Sequence, residues 1–229
     1  QWCFETYRGQ LNRAYLLTQD PQMPNNRAMA IAHRMMVLYG LDAPTPAVLE
    51  WLHPLSSILG WNGPDEGGAI GQVSRYGHIL LPSNWAINMT LLSAGSEDRA
   101  SVRTFAPIDP KAMDLADDSH AVSFMMSDGD NVQWLLGNFC SSEHYWASPD
   151  HGAYPMGWGL PYACLDQVSP DVLLFLQETQ PQGSTAHLHA GGYYYPDMLG
   201  LELAPTERRQ LLVRHARRIS HYMQRAGRS

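Results

Sequence analysis

Residues 121–139 read AVSFMMSDGDNVQWLLGNF, and this stretch decides the fold. Residues 121–126 are a short apolar run of the kind that forms a buried strand. The run SDGDN follows at once, rich in residues that turn a chain or cap a helix. Residues 132–139 then return to helical apolar spacing. Strand, polar loop and helix in that order is the unit of a parallel α/β fold with right-handed crossovers.

Working outward, the same order recurs about five times. Residues 56–61 read as a strand leading into Asn62-Gly63-Pro64-Asp65-Glu66, and residues 78–82 as another, with Ser83 capping a helix to Leu92. Residues 156–160 form a short strand carrying Trp158, and Ser169-Pro170-Asp171 opens a helix to about residue 178. Residues 186–189 form a strand that runs into Ala190-Gly191-Gly192-Tyr193-Tyr194-Tyr195-Pro196-Asp197. A final helix starts at Thr206, with Leu212, Ala216, Ile219, Met223 and Ala226 on one face.

Nearer the start, residues 26–39 read as one helix closed at Gly40, and Thr45-Pro46 opens another to about residue 53. Residues 1–25 have no clear period, residues 140–153 read as a loop, and residues 95–119 as a polar excursion. These signals predict an α/β fold, a distorted or incomplete (β/α) barrel with mainly parallel strands. The 229 residues fall short of the ~250 of a full barrel. The whole chain, 1–229, is expected to be a single barrel-like module, with residues 1–45 as an N-terminal extension packed on it.

Charge narrows the partners. The net charge is −7, although the segment from Glu207 to the end holds seven arginines and one glutamate. The acidic body argues against nucleic acid as a ligand. The arginines alternate with apolar positions at helical spacing, as on a solvated helix face. No run of about 18 apolar residues is present, so no membrane span is expected. Cys3, Cys140 and Cys164 form no CxxC pair, which leaves zinc without a ligand set; one disulfide is possible, with the pair open.

In an α/β fold, function gathers where strands end. Four strand ends carry chemistry here: Trp61 with Asp65 and Glu66; Asp128, Asp130 and Asn131 with Trp134 behind them; Trp158; and Tyr193, Tyr195 and Asp197. Hydrolysis of a glycosidic bond needs two carboxyl groups, one to protonate the leaving oxygen and one to attack or activate water. Acids gathered on one rim repel one another, which favours a protonated general acid. Glu66, Asp128 and Asp130 are therefore the candidate catalytic residues. Trp61, Asp65, Asn131, Trp134, Trp158, Tyr193, Tyr195 and Asp197 are the candidate substrate-binding set. If Glu66 works with Asp128 or Asp130, their origin on separate strands favours the wider, inverting spacing.

Blander roles stand beside these. Asp and Asn in an SDGDN turn cap helices, and their alternating oxygens suit a hard cation, although the EF-hand spacing is missing. The Gly191-Gly192 pair lacks the pattern of a phosphate loop. His187 and His189 share one strand face and suit packing more than ligation. No cofactor and no metal site is expected.

Four blocks together resemble the family of glycoside hydrolase-like proteins named for its GxGYxYP motif. Residues 190–196, AGGYYYP, match that motif with Ala190 in place of the first glycine; residues 127–134 match an SDGDNxxW signature. Gly60-Trp61, Asp65-Glu66 and Tyr76-Gly77 resemble a third block, and the arginine-rich helix with His221-Tyr222-Met223 a fourth. The resemblance implies a secreted or extracytoplasmic barrel-like C-terminal module acting on carbohydrate, with a separate N-terminal companion domain in the full-length protein. The weighed alternatives are a non-catalytic carbohydrate-binding module and a metal-dependent hydrolase of another polar substrate.

Overall fold

The computed structural model describes residues 2–20, 22–23, 25–39, 45–61, 65–95, 116, 118–127, 131–188 and 191–226. Asp128 and Asp130, together with Gly40, residues 62–64, His189, Ala190 and most of 95–119, lie outside the described residues.

The described strands form two sheets, parallel throughout. The first contains β1 (Tyr15–Gln19), β2 (Met36–Tyr39), β3 (Ser57–Gly60) and β4 (Ile79–Leu81), in the spatial order β2-β1-β3-β4. The second contains β5 (Met125–Met126), β6 (Gly157–Leu160) and β7 (Thr185–Leu188) in chain order. Strand order in the first sheet reverses between β1 and β3, the kind of switch point beside which α/β folds place ligands.

Helices cover both faces of the first sheet, so its strands are apolar on both sides. Leu16, Ile58 and Leu80 pack on one face against α1 (Trp2–Tyr7), α3 (Pro46–Trp51) and α4 (Glu66–Arg75). Leu17 and Leu59 pack on the other against α2 (Arg27–Ala32) and α5 (Met89–Gly95). The second sheet builds its own core with α6 (Val132–Leu135), α7 (Tyr162–Val168) and α8 (Pro170–Glu178), around Phe139, Trp146, Trp158 and Tyr162.

Among the described residues the two sheets do not close into one ring. The free edge of β4 is taken by an antiparallel bridge to Tyr193: Leu80 N–H donates to Tyr193 O at 3.0 Å, and Tyr193 N–H to Leu80 O at 2.7 Å.

Several expectations change. Residues 26–39 are a helix and then a strand, because Arg34 takes a positive φ of 50° and ends the helical path before Met36. Residues 1–45 hold the central strand β1 rather than a peripheral extension. Its polar end misleads: Thr18 and Gln19 are fully buried, with Thr18 Oγ1 donating to Leu59 O and Gln19 Nε2 to Met23 O. Ser83 does not cap a helix; its hydroxyl accepts from Gly60 N–H at 2.8 Å, and α5 starts at Met89. The strand expected over 121–126 is only Met125–Met126, and the helix expected over 132–139 ends at Leu135.

The last helix, α9 (Pro205–Arg225), buries Leu211 and His215, with Ala226 just beyond it, while Leu212 is exposed. Its inward face is turned by about one residue from the expected one. No described helix is long and apolar enough to cross a membrane, and no disulfide joins any two of Cys3, Cys140 and Cys164.

Candidate active site

A cleft of about 230 Å³ opens above the seam between the sheets, at the carboxyl end of β3 and β4. Trp61 follows β3, and Glu66 stands in the first turn of α4. Pro82, Asn84 and Trp85 follow β4; Asn131 and Gln133 come from the start of α6; Tyr193 comes from the GGYYYP turn.

Backbone and amide bonds fix the walls. Gln133 N–H donates to Pro82 O at 3.1 Å, and Trp85 N–H donates to Gln133 Oε1 at 2.7 Å. One glutamine thus ties the chain after β4 to the helix after β5. Trp85 remains 62% exposed, so its ring is open to a ligand's face. Asn84 Oδ1 is buried and has no partner among the described residues.

Glu66 is positioned by its neighbours. Asp65 is the N-cap of α4: its Oδ1 accepts from Gly68 N–H at 2.6 Å, which fixes the first turn. Tyr195 braces the same turn from the motif side. Its N–H donates to Ser74 Oγ at 2.9 Å, and its ring lies close enough that a Cβ on Gly67 or Gly71 would touch it at 3.9 Å. Glu66 is exposed and has no hydrogen-bond or ion-pair partner among the described residues.

Of the expected site residues, Glu66, Trp61, Asn131 and Tyr193 meet in the cleft. Asp65 and Tyr195 support it from behind. Trp134 packs edge-on to Phe139 and Tyr145, at 4.6 and 4.8 Å between ring centroids. Trp158 is only 5% exposed, enclosed by Trp146 and His151 at 5.1 and 4.8 Å, and forms core rather than cleft wall. Asp197 is exposed away from the cleft lining, and its backbone carbonyl accepts from Arg208 Nη2 at 2.7 Å. Asp128 and Asp130 lie outside the described residues.

Asn84, Trp85 and Gln133 were not expected here. The signal for the first two was the strand end at Pro82, which the helix-cap reading of Ser83 obscured. Gln133 carried no signal beyond its place one residue before Trp134.

Two family models match the chain. Residues 118–229 match the "GxGYxYP putative glycoside hydrolase C-terminal domain" and residues 12–94 the "GxGYxYP third domain". The chain belongs to the GxGYxYP family. The boundary between the matches follows the two sheets: the third-domain match contains β1 to β4, and the C-terminal match contains β5 to β7 and the motif. The cleft of this GxGYxYP protein draws its walls from both.

A crystal structure described as "a putative hydrolase from Bacteroides thetaiotaomicron VPI-5482" shares the fold, with a TM-score of 0.80 at 20% identity. The match covers 99% of this chain and 43% of that one, so the chain spans less than half the length of that relative. No curated protein matches the sequence.

Proposed function

We propose that the protein is a glycoside hydrolase, with Glu66 as one of a pair of working carboxyl groups and the cleft beside it as the sugar site. The observation that carries this reading is the cleft's lining: one carboxylate among three aromatic rings and three side-chain amides. Aromatic faces accept the apolar faces of sugar rings, and amides both donate to and accept from hydroxyls. The family's description as a glycoside hydrolase family supports the same reading.

The second carboxyl group in this reading is Asp128 or Asp130. These two acids enter the reading from the sequence alone, in which they stand just before Asn131, a residue of the cleft lining. A carboxyl separation of about 5–5.5 Å from Glu66 gives retention through a covalent intermediate, and about 6.5–9.5 Å leaves room for water and gives inversion. The two sheets are read here as arcs of one incomplete barrel, whose carboxyl rim holds this cleft. Action outside the cytoplasm is part of the same proposal.

A carbohydrate-binding module without catalysis is the second reading. It is favoured by Glu66 being the single carboxylate among the described lining residues. A screen of oligosaccharides with the wild-type chain and with Glu66→Gln, Asp128→Asn and Asp130→Asn variants separates the two. Catalysis predicts cleavage reduced by ~10²–10⁴ in Glu66→Gln, the range of a lost acid–base group. Binding without cleavage in the wild type supports the module instead.

A further inference from the structure

One wall of the cleft carries a donor that the fold leaves unused. Gln133, the second residue of α6, is only 7% exposed, and its side-chain amide has a single orientation open to it. Trp85 N–H donates to Oε1 at 2.7 Å, and a backbone N–H bonds only to an acceptor. The other arm of the amide is therefore the NH₂ group, Nε2. Gln133 N–H donates to Pro82 O at 3.1 Å, so both the backbone and the side chain of this residue are held.

Nε2 has no hydrogen-bond partner among the described residues, yet it is not sealed off. Asn84 Oδ1 in the same wall is fully buried, whereas Gln133 Nε2 keeps accessible surface. A nearly buried side chain thus presents two N–H donors at the cleft. A fixed donor of this kind is costly to leave unmet, and what it lacks is an acceptor on a ligand.

The neighbours define that acceptor. Trp85, held by the same amide, is 62% exposed and offers an apolar ring face beside the donor. Glu66 is the single charged residue among the described lining residues, and none of them is Arg, Lys or His. The nearby stretches 62–64 and 128–130 read Asn-Gly-Pro and Asp-Gly-Asp and add no basic residue. A uronate or sulfate group would bring a full negative charge to Glu66 with no cation to offset it. A hydroxyl oxygen accepts from Nε2 but brings no apolar surface to the Trp85 face. An acetamido group supplies both, a neutral carbonyl oxygen for Nε2 and a methyl for the ring.

We propose that the cleft selects N-acetylated amino sugars, with Gln133 and Trp85 as the residues that read the acetamido group. Gln133 Nε2 donates to the acetamido oxygen, and the acetamido methyl lies on the Trp85 ring. The inference rests on the reading of the cleft as a sugar site and adds to it the class of sugar. A site built to hydrogen-bond one group rejects the analogue that lacks it, so the acetamido group is the point of discrimination.

Titration of the folded chain with N-acetylglucosamine and N-acetylgalactosamine, each against its parent glucose or galactose, tests this. Glucuronate is the charged control. The better N-acetyl sugar is expected to bind roughly tenfold or more tightly than its parent, and glucuronate no better than glucose. Gln133→Glu keeps an oxygen acceptor for Trp85 N–H and replaces the donor with a carboxylate oxygen. It is expected to lose the preference for the N-acetyl sugar while binding of the parent sugar changes little. NMR of the wild type gives a readout that does not need the variant to fold. The Gln133 side-chain NH₂ resonances should move with the N-acetyl sugar, and its methyl protons should receive saturation from the Trp85 ring. Parent sugars bound equally well, tighter binding of glucuronate, or a preference kept in Gln133→Glu overturns this inference and leaves the cleft as a sugar site. Sugar binding that leaves the Gln133 NH₂ unmoved, or no sugar binding at ~10 mM, overturns both.

Discussion

Leu80 and Tyr193 exchange both backbone hydrogen bonds across 113 residues of chain, N–H to carbonyl in each direction, at 3.0 and 2.7 Å. This pair seats the GGYYYP turn against the edge of β4 and holds the Tyr193 ring in the cleft.

Gly192 makes that seating possible. Its φ is +94°, and a Cβ there would lie 2.5 Å from Ile79 Cγ2, 2.6 Å from Leu81 Cδ2 and 3.0 Å from Leu80 O. Gly192→Ala combines backbone strain with overpacking and is expected to cost roughly 2–4 kcal/mol. Thermal unfolding measures the loss. Gly191, with a positive φ but no atom within 4 Å, should cost less when changed to Ala.

A second pair of glycines separates close approach from mere flexibility. A Cβ on Gly60 would sit 1.7 Å from Thr18 O, in the backbone of the neighbouring strand, so Gly60→Ala is expected to prevent folding. Gly67, inside α4, has nothing nearer than 3.6 Å, and Ala favours a helix interior by up to about 1 kcal/mol. Gly67→Ala should be neutral or stabilising. Soluble yield and melting temperature for the two variants decide it.

The sequence revealed these features unevenly. Strands β3, β4, β6 and β7 were legible because each is an apolar run bounded by turn residues. The central strand β1 was not: its last two residues, Thr18 and Gln19, are polar but buried through tertiary hydrogen bonds that no local pattern records. β2 was hidden because the apolar residues 35–38 continue the helical period of residues 28–32. The strand-end rule named Trp61, Glu66, Asn131 and Tyr193, which the fold brings to one cleft. It mistook Trp158, since a buried β6 sends an aromatic ring into a core as readily as a loop sends one into a cleft.

Adjacent acids at the start of α4 should behave differently. Asp65 caps the helix, so Asp65→Ala is expected to lower stability by about 0.5–2 kcal/mol. Its activity should fall in part, as Glu66 loses its fixed turn. Glu66→Gln removes an exposed carboxylate without a partner among the described residues, so stability should change by less than about 0.5 kcal/mol while activity is lost. Paired denaturation and activity measurements would reject this assignment if Glu66→Gln unfolded the chain.

Acid should weaken the fold through two buried histidines. His78 and His215 both have pKa values lowered from 6.5 to about 4, chiefly by burial and, for His215, also by Arg218. Both are under 5% exposed, and His215 packs edge-on against Tyr194 of the motif at 4.7 Å. A depressed histidine pKa means that the unfolded chain takes up protons first as pH falls. Full stability therefore holds above about pH 6.5, declines between 6.5 and 4, and levels off below, where both states are protonated. At about 1.36 kcal/mol per pKa unit, each histidine accounts for on the order of 3 kcal/mol. Urea unfolding at pH 7, 5.5 and 4.5 should show this decline. His215→Phe, which keeps an aromatic ring against Tyr194 and removes the titrating group, should make it shallower. An unchanged slope in that variant would show that His215 is not a source of the acid sensitivity.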